Sequence, residues 1–314
     1  MSIATVFEIV LAAVVLGLAI WTIAVSDTYS ATVGFVAYGL LVALIWVRLD
    51  AVDVALTEAA IGGGLGGVLL LSAAARLRAA AAATVERSSR ISRLCAGILS
   101  ASITAALGAA ILDLPAEAPP LAPLAVANAG ATGLGNAVTN VLMAFRGMDT
   151  MLEKVVLLLA IVGVWSLASD GAWGGRPGLR HEADPDGVLA FLARLLPPAG
   201  IVVGVYILWT GADHPGGAFQ GGAVLASMWL LVIMAGLADT PPVSSRRLRL
   251  ILVAGPGLFL AVGLVGLFSG PAFLAYPVAF AKPLILAIEV AMILTIAATL
   301  ALLLAGTPGR SASP

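Results

Sequence analysis

The stretch Asp50-Ala-Val-Asp-Val-Ala-Leu-Thr-Glu58 leads directly into Ala59-Ala-Ile-Gly-Gly-Gly-Leu-Gly-Gly67, and the apolar run continues to Ser72. Three carboxylates therefore stand at the head of a segment that is long enough to enter a bilayer. An ionisable side chain in hydrocarbon is costly, so it is either paired or functional. Glycines four residues apart in this run have the small-xxx-small spacing that lets two membrane helices approach closely.

The composition of the whole chain is that of an integral membrane protein. The 314 residues are 61% hydrophobic and 11% charged, with a mean hydropathy of +1.09, whereas soluble domains are about a quarter charged. A net charge of -1 argues against nucleic acid as a partner. One cysteine and two histidines provide neither an internal disulfide nor a zinc site.

The apolar runs predict an all-α, polytopic bundle of transmembrane helices, with about nine spans and one further re-entrant or interfacial helix. The predicted spans are residues 4–25, 33–47, 50–75, 91–112, 150–168, 197–210 (with an upstream extension to 188), 218–237, 248–268 and 278–304. Residues 125–145 are apolar but carry asparagines and several glycines. We expect them to form the re-entrant helix, because irregular backbone at membrane depth needs protein or water around it.

Three arginine clusters set the predicted orientation. They follow the third, fifth and seventh spans, at residues 76–93, 176–194 and 246–249, and positive charge gathers in cytoplasmic loops. With nine spans, all three clusters lie on one side of the membrane. We therefore expect the N-terminus outside and the C-terminus inside. The first apolar run has no basic region and no small-residue cleavage site, which favours a retained span over a signal peptide.

Asp50, Asp53 and Glu58 form the first group of charged residues. Asp50 and Asp53 suit the start of a helix, where a carboxylate caps free N–H groups and meets the positive end of the helix dipole. Glu58 lies eight residues beyond Asp50, roughly 12 Å further along a helix, which is too deep for a cap. We expect Glu58 to lie on an ion path or in a buried pair. On an ion path it would hold either a proton or, transiently, Na⁺.

A second group lies in Phe145-Arg-Gly-Met-Asp-Thr-Met-Leu-Glu-Lys154. Thr150 and Glu153 match a capping box, and Arg146 is placed to neutralise Asp149 across the turn. Asp149 and Glu153 are four residues apart and so share one helix face. Both acids are candidates for an ion path, with capping and local pairing as the alternative interpretation.

The remaining candidates lie in the C-terminal half. A histidine side chain can gain and lose a proton under physiological conditions, so His214 is a candidate proton relay, with a loop histidine bonded to backbone as the alternative. Lys282 and Glu289 are also candidates for an ion path, and they are two helical turns apart on one face of the ninth span. Lys282 is close enough to the end of the helix to snorkel to the interface. Glu289 is too deep to snorkel, which favours a side chain that faces the bundle or a cavity.

Three of these motifs, in this order, resemble one set of membrane proteins. Asp53-Val-Ala-Leu-Thr-Glu-Ala-Ala60, with its glycines, is similar to the MbhD-like module of Mrp-type multisubunit cation/proton antiporters and of membrane-bound hydrogenases. Val138-Thr-Asn140, followed by Phe145-Arg-Gly-Met-Asp-Thr150 and Glu153, resembles the MbhE-like region that comes next in the large Mrp A subunit. His214-Pro-Gly-Gly-Ala-Phe-Gln-Gly-Gly222 resembles the signature of the Mrp B (MnhB) subunit, with alanine at position 218 where a third glycine is usual.

The resemblance implies a domain order and a function. It implies an MbhD/MbhE-like membrane module over residues 1–168, a polar linker over 169–194 and an MnhB-like module of four helices over 195–314. The implied function is that of a subunit of a complex in the bacterial inner membrane that exchanges a monovalent cation, Na⁺ or K⁺, for H⁺. The expected partners are the large antiporter-like A and D subunits, the small C, E, F and G subunits, and the lipid bilayer.

The resemblance also ranks the candidate residues. Asp53 and Glu58 come first, then Asp149 and Glu153, and His214 receives no secure chemical role. The sequence contains no phosphate loop, nucleophile triad, haem ligand pair or cysteine cluster, so we expect neither an enzymatic reaction nor a cofactor or resident metal.

Two other functions stay open from the sequence. The same modules occur in energy-converting hydrogenases and related respiratory complexes, so this chain could be an ion-translocating subunit of such a complex. It could also be a purely structural scaffold. Transport by the isolated chain is not expected, because the sequence lacks the long inverted repeats of a complete secondary transporter.

Overall fold

The computed structural model describes residues 2–81, 89–114, 121–178 and 184–309. Most of this part of the chain is helical, which confirms the predicted all-α class. The helices are α1 (Ile3–Ala24), α2 (Thr28–Arg48), α3 (Val52–Glu58), α4 (Gly66–Ala81), α5 (Arg90–Leu112), α6 (Ala122–Asn128), α7 (Ala137–Asn140), α8 (Gly147–Ser166), α9 (Val188–Thr210), α10 (Ala218–Met234), α11 (Arg246–Ser269) and α12 (Ala281–Ala305). The middle of the first arginine cluster, and His181 and Glu182 of the polar linker, lie outside the described residues.

Seven helices in the described part of the chain are long and apolar enough to cross a membrane. They are Ile3–Ala24, Thr28–Arg48, Val52–Arg78, Arg90–Leu112, Val188–Thr210, Arg246–Phe268 and Val278–Ala305. The other two predicted spans correspond to α8, which carries three charged side chains in its first two turns, and to α10, which has 17 residues. The exact number of nine spans therefore stays a prediction.

The segment expected to be re-entrant is broken into short pieces. A helix of seven residues and a 3₁₀ turn end at Gly133, which has a left-handed backbone with φ 69°. Four residues of α7 then continue into the π-helical segment Val141–Phe145, and the chain bends at Arg146 before α8. Helical pieces this short cannot cross a bilayer alone, since a span needs about 20 residues.

Residues 137–166 nevertheless run from one end of the bundle to the other. Before α7, the N–H groups of Gly135 and Asn136 donate to the carbonyl of Ala212, just after α9. Near the end of α8, Trp165 lies in the same buried hydrophobic cluster as Val243, just before α11. Because α10 alone separates positions 212 and 243, α7 and α8 together traverse the bundle once. The expected re-entrant or interfacial helix stays a prediction for residues 125–145, whose short helical pieces lead into α8.

The N-terminal helices are organised around α2, which packs against α1, α3, α4 and the π-helical segment Ala59–Leu65. The predicted close approach at the glycine run is confirmed, and α2 is the neighbour. A Cβ atom added to Gly63 would lie 2.8 Å from Leu40 Cδ2, and one added to Gly67 would lie 2.7 Å from Val36 Cγ2. A larger side chain at either glycine would push α2 away.

The C-terminal helices surround α12, which packs against α10, α11 and α8. Its inward residues include Ile285, Ile288 and Ile296, each with no exposed surface. Gly221 and Gly222 allow α10 to approach its neighbours. A Cβ atom on Gly221 would lie 2.6 Å from the carbonyl oxygen of Gly204 in α9, and one on Gly222 would lie 2.7 Å from Ile296 Cγ2 in α12.

Two segments differ in how they contact the rest of the protein. None of the side chains of α5 is buried. The polar segment after α8 is, by contrast, attached to the C-terminal helices: β1 (Arg176–Pro177) pairs antiparallel with β2 (Pro308–Gly309), just after α12. Arg176 also forms an ion pair with Asp239 at 3.0 Å. This part of the predicted linker therefore belongs structurally to the C-terminal bundle.

Candidate ion site

A cavity of about 180 Å³ lies where α3, the α7–α8 traverse, the start of α10 and the middle of α12 meet. These elements come from all three regions that the sequence motifs marked. The polar side chains of the lining are those of Thr57, Thr139, Thr150, Glu153, Lys154, Gln220 and Glu289. A cavity of this size has room for water or a small ion.

Glu289 is the most deeply buried acid of this cavity. Its side chain is 4% exposed, and its Oε2 atom has no hydrogen-bond partner within the part of the chain that the structure describes. The backbone N–H of Ala218, the first residue of α10, faces the same carboxyl group. Nearly all buried polar groups are hydrogen-bonded, so an orphaned carboxylate oxygen marks a place for a proton or a cation.

The turn before α10 lies against this carboxyl group. Gly216 and Gly217 have φ values of 149° and 131°, a backbone region that favours glycine. A Cβ atom on Gly217 would lie 3.3 Å from Gln220 Oε1 and 3.4 Å from Glu289 Oε1, closer than most side chains pack. Glycine at position 217 therefore lets the turn approach both side chains without a steric clash.

Lys154 is a buried cation in the wall of the same cavity, and sequence analysis did not select it. Its side chain is 2% exposed, and Nζ lies 2.6 Å from Glu153 Oε1. Nζ also lies 4.8 Å from the ring centroid of Phe219, within the range of a cation–π interaction. The signal was present in the sequence, because a lysine followed by the apolar residues 155–164 sits inside a predicted span.

Asp53 is an acceptor that links α3 to the glycine turn. Its side chain is 7% exposed, and Oδ1 accepts a hydrogen bond from the N–H of Gly216 at 2.8 Å. Asn136 Nδ2 donates more weakly to both carboxylate oxygens, at 3.5 and 3.4 Å, and to the carbonyl of His214 at 2.8 Å. The carboxylate of Asp53 is therefore held by protein donors.

Neither Asp50 nor Asp53 is the N-cap of α3, but the predicted position of Asp53 at the positive end of the helix dipole is confirmed, since it lies in the first turn. The N-cap of α3 is Ala51, without a side-chain hydrogen bond. Asp50 lies one residue earlier, exposed, with a left-handed backbone at φ 56°, and Asp53 lies in the first turn. The chain turns at Asp50, so α3 starts at Val52, two residues later than the sequence pattern predicted.

Glu58 is half-buried and does not line the cavity. In the described part of the chain its carboxylate has no hydrogen bond or ion pair. It lies over two glycines: a Cβ atom on Gly62 would be 2.1 Å from Glu58 Oε1, and one on Gly39 would be 3.4 Å away. The structure thus places Glu58 in a separate position, between α2 and the π-helical segment Ala59–Leu65.

The group around α8 is arranged differently from the prediction in one respect. Arg146 pairs with Asp149 at 2.6 Å, as expected, and both side chains are more than half exposed. The capping box is wrong, because α8 begins at Gly147 and the hydroxyl of Thr150 donates to the carbonyl of Leu142. Of the two acids, only Glu153 lines the cavity.

Lys282 and His214 lie at the end of the bundle where α9 meets α10. Lys282 Nζ binds both oxygens of Asp213, at 2.8 and 2.9 Å. The hydrogen bond from Lys282, together with one from the N–H of Gly135, holds the pKa of Asp213 below its usual value of 3.8. The side chain of His214 is exposed. These contacts fix the turn that presents Gly216 to Asp53.

Comparison with protein families matches two regions of the chain. The domain related to the MnhB subunit of Na⁺/H⁺ antiporters matches residues 188–307, and the MbhD family, named for the D subunit of MBH, matches residues 13–79. We refer to these two matching regions as the MnhB-related domain and the MbhD domain. The cavity joins the two, since Thr57 comes from the MbhD domain and Gln220 and Glu289 from the MnhB-related domain.

Two solved structures share this fold. A chain of the Mrp complex from Dietzia sp. DQ12-45-1b matches with a TM-score of 0.72 and 23% identity, covering 97% of this chain and 35% of that one. A chain of the membrane-bound sulfane sulfur reductase, an archaeal respiratory membrane complex, matches with a TM-score of 0.52 and 26% identity, covering 68% of this chain and 98% of that one.

A curated relative is uncharacterised. The protein MJ1307 of Methanocaldococcus jannaschii is 25% identical over 154 residues, which are 44% of this chain and 59% of MJ1307. This chain therefore spans less than two thirds of MJ1307 and about a third of the Dietzia chain.

Proposed function

We propose that this chain is a non-enzymatic membrane subunit of a complex that exchanges a monovalent cation, Na⁺ or K⁺, for H⁺, and that it contributes part of the ion path. The observation that carries this proposal is the buried carboxylate of Glu289, with one oxygen lacking a partner, in a cavity built jointly by the MbhD and MnhB-related domains. The relation of residues 188–307 to an Na⁺/H⁺ antiporter subunit supports it.

The candidate residues divide into two roles under this proposal. Glu58 and Glu289 hold the exchanging ion, because each is a carboxylate at membrane depth without a cationic partner among the described residues. Glu153 lines the same cavity as Glu289 and is already paired with Lys154. Asp53, Asp149, Lys282 and His214 support the path by fixing the turns around it, through the contacts described above.

The proposal is tested in vesicles that carry the whole complex. Glu58→Gln and Glu289→Gln keep the shape and hydrogen-bonding capacity of each side chain but cannot ionise. We expect each to abolish cation-dependent proton movement while the complex still assembles. Asp50→Asn is the matched control and should retain antiport, because water solvates Asp50 at the surface. Normal antiport by both glutamine variants would remove the ion-path role and leave a scaffold.

A second function is favoured by one comparison. The likeness to a chain of an archaeal respiratory complex supports an ion-translocating subunit of an energy-converting complex. The proteins that copurify in mild detergent decide between the two. Antiporter-type subunits alone, of the A, C, D, E, F and G kinds, support the antiporter. Copurifying subunits with iron–sulfur or nickel–iron centres would assign the chain to a redox-driven complex instead.

The proposed location is the inner membrane of a bacterium, with the N-terminus outside and the C-terminus inside. The three arginine clusters support this orientation. The proposed domain order places the MbhD/MbhE-like module at residues 1–168 and the MnhB-like module at 195–314. Within it, residues 174–178 dock on the C-terminal bundle, and α8 also packs against α11 and α12.

A further inference from the structure

The charges that line the cavity do not balance. Among the described residues of the lining, three side chains are ionisable: Glu153, Lys154 and Glu289. Two carboxylates and one ammonium group leave a deficit of one positive charge. A lone carboxylate at this depth is strongly disfavoured, so the cavity needs one further positive charge to be stable.

The ammonium group of Lys154 already forms an ion pair with one of the two carboxylates, that of Glu153. Lys154 Nζ lies 2.6 Å from Glu153 Oε1, and the face of the Phe219 ring covers it at 4.8 Å. Both contacts favour the charged form, because an ion pair and a cation–π interaction each need the positive charge. Glu289 receives no such contact from any lysine, arginine or histidine in the described part of the chain.

The free space beside Glu289 is the cavity itself, which Gly216, Gly217 and Gln220 also line. The Oε2 atom of Glu289 is buried and has no hydrogen-bond partner among the described residues. A buried carboxylate oxygen without a partner, next to a cavity with room for a small ion, is an acceptor for one proton or one alkali cation. Glu153, by contrast, is half exposed, and its Oε1 atom is paired with Lys154 Nζ.

We propose that this cavity is a site for one exchangeable positive charge: Glu289 holds a proton or a monovalent cation, and Lys154 keeps Glu153 neutralised so that no second charge is taken up. Identifying that charge with a transported ion rests on the proposed function. The number of charges does not, because it follows from the three side chains and their contacts.

Carbodiimide labelling of the whole complex in mild detergent tests the number of charges. A hydrophobic carbodiimide modifies protonated carboxyl groups, and peptide mass spectrometry locates the adduct. In the wild type we expect label on Glu289 and none on Glu153, with added Na⁺ or K⁺ protecting Glu289. Lys154→Met should add label on Glu153, so that two carboxyl groups react instead of one. Lys154→Arg is the matched control and should keep the wild-type pattern.

The double variant separates this proposal from a structural role of Lys154. Glu289→Gln should remove the label from position 289, and Lys154→Met with Glu289→Gln should restore a single reactive carboxyl group, at Glu153. Label on Glu153 in the wild type would overturn the proposal without any variant. So would the absence of label on wild-type Glu289 when no Na⁺ or K⁺ is added. An unlabelled Glu153 in an assembled Lys154→Met complex would overturn it as well.

Antiport measured on the same preparations distinguishes the two proposals. The expected labelling pattern in a complex without cation/proton exchange would refute the proposed function and leave the single-charge site standing. Active exchange by a complex with the wrong labelling pattern would refute this inference alone.

Discussion

Asp53 provides a quantitative test of how the MbhD domain is joined to the glycine turn. Asp53→Ala removes the acceptor of the Gly216 N–H, whose hydrogen bond is 2.8 Å long, and leaves that N–H buried without a partner. A hydrogen bond to a charged group contributes about 1.5–3 kcal/mol, and an unsatisfied buried donor costs a similar amount. The contacts from Asn136 are near 3.5 Å and add little. We therefore expect Asp53→Ala to destabilise the protein by about 2–3 kcal/mol.

The assay is the midpoint of thermal unfolding of the purified complex at one fixed scan rate, because membrane complexes unfold irreversibly. Each kcal/mol shifts the midpoint of a large domain by about 2–4 °C, so Asp53→Ala should lower it by roughly 4–12 °C. Asp53→Asn keeps one acceptor oxygen and should lie in between. Asp50→Asn removes a charge from an exposed position and is the control without effect. An unchanged midpoint for Asp53→Ala together with lost transport would refute the linking role and place Asp53 on the ion path.

Three further predictions concern the bundle. Gly222→Ala places Cβ 2.7 Å from Ile296 Cγ2 and should lower the free energy of unfolding by about 1–3 kcal/mol. Gly257→Ala is the control and should be neutral or slightly stabilising, because its Cβ would have nothing within 4 Å. Equal thermal midpoints for the two variants would contradict the close approach of α10 and α12. Because the pKa of Asp213 is lowered, its pairing with Lys282 stabilises the protein above pH 3.8, and this stabilisation is lost as the pH falls through the pKa of Asp213 in the folded protein. Lys282→Met should therefore reduce the loss of stability at acid pH. An unaltered dependence of the thermal midpoint on pH would show that the pair contributes nothing. In a background with Cys95→Ser, single cysteines at Ser89 and Ser244 should react with an impermeant reagent from the cytoplasm and one at Ala272 from outside; reaction of Ser89 and Ser244 from opposite sides would exclude the proposed topology.

The helices themselves could be predicted well from the sequence. A membrane span must be about 20 apolar residues long, so α1, α5 and α11 begin and end within two residues of the predicted positions. The upstream extension of the sixth span to Val188 is also confirmed. The glycine run predicted a close helix neighbour, since small residues four apart act locally. What it did not predict was which helix that neighbour would be.

The partners of the charged residues could not be predicted, because they are distant in the chain. Asp53 meets Gly216 across 163 positions and Lys282 meets Asp213 across 69. Asp53 therefore looked like a helix cap, and Lys282 looked free to reach the interface. Lys154 escaped notice for a related reason: its cation–π partner, Phe219, comes from another domain. Of the charged residues in the cavity, only Glu289 had a feature that its own helix predicted, namely its depth in the membrane.

The order in which the cavity walls are synthesised has a consequence for biogenesis. The ribosome delivers Glu153 and Lys154 together, on α8, as a neutral pair that a membrane tolerates. The carboxylate that lacks a counter-charge arrives last, on α12, when α10 and its glycine turn are already present to receive it. In a chain that stalls before α12, the ionisable side chains of the cavity lining are therefore only the paired Glu153 and Lys154.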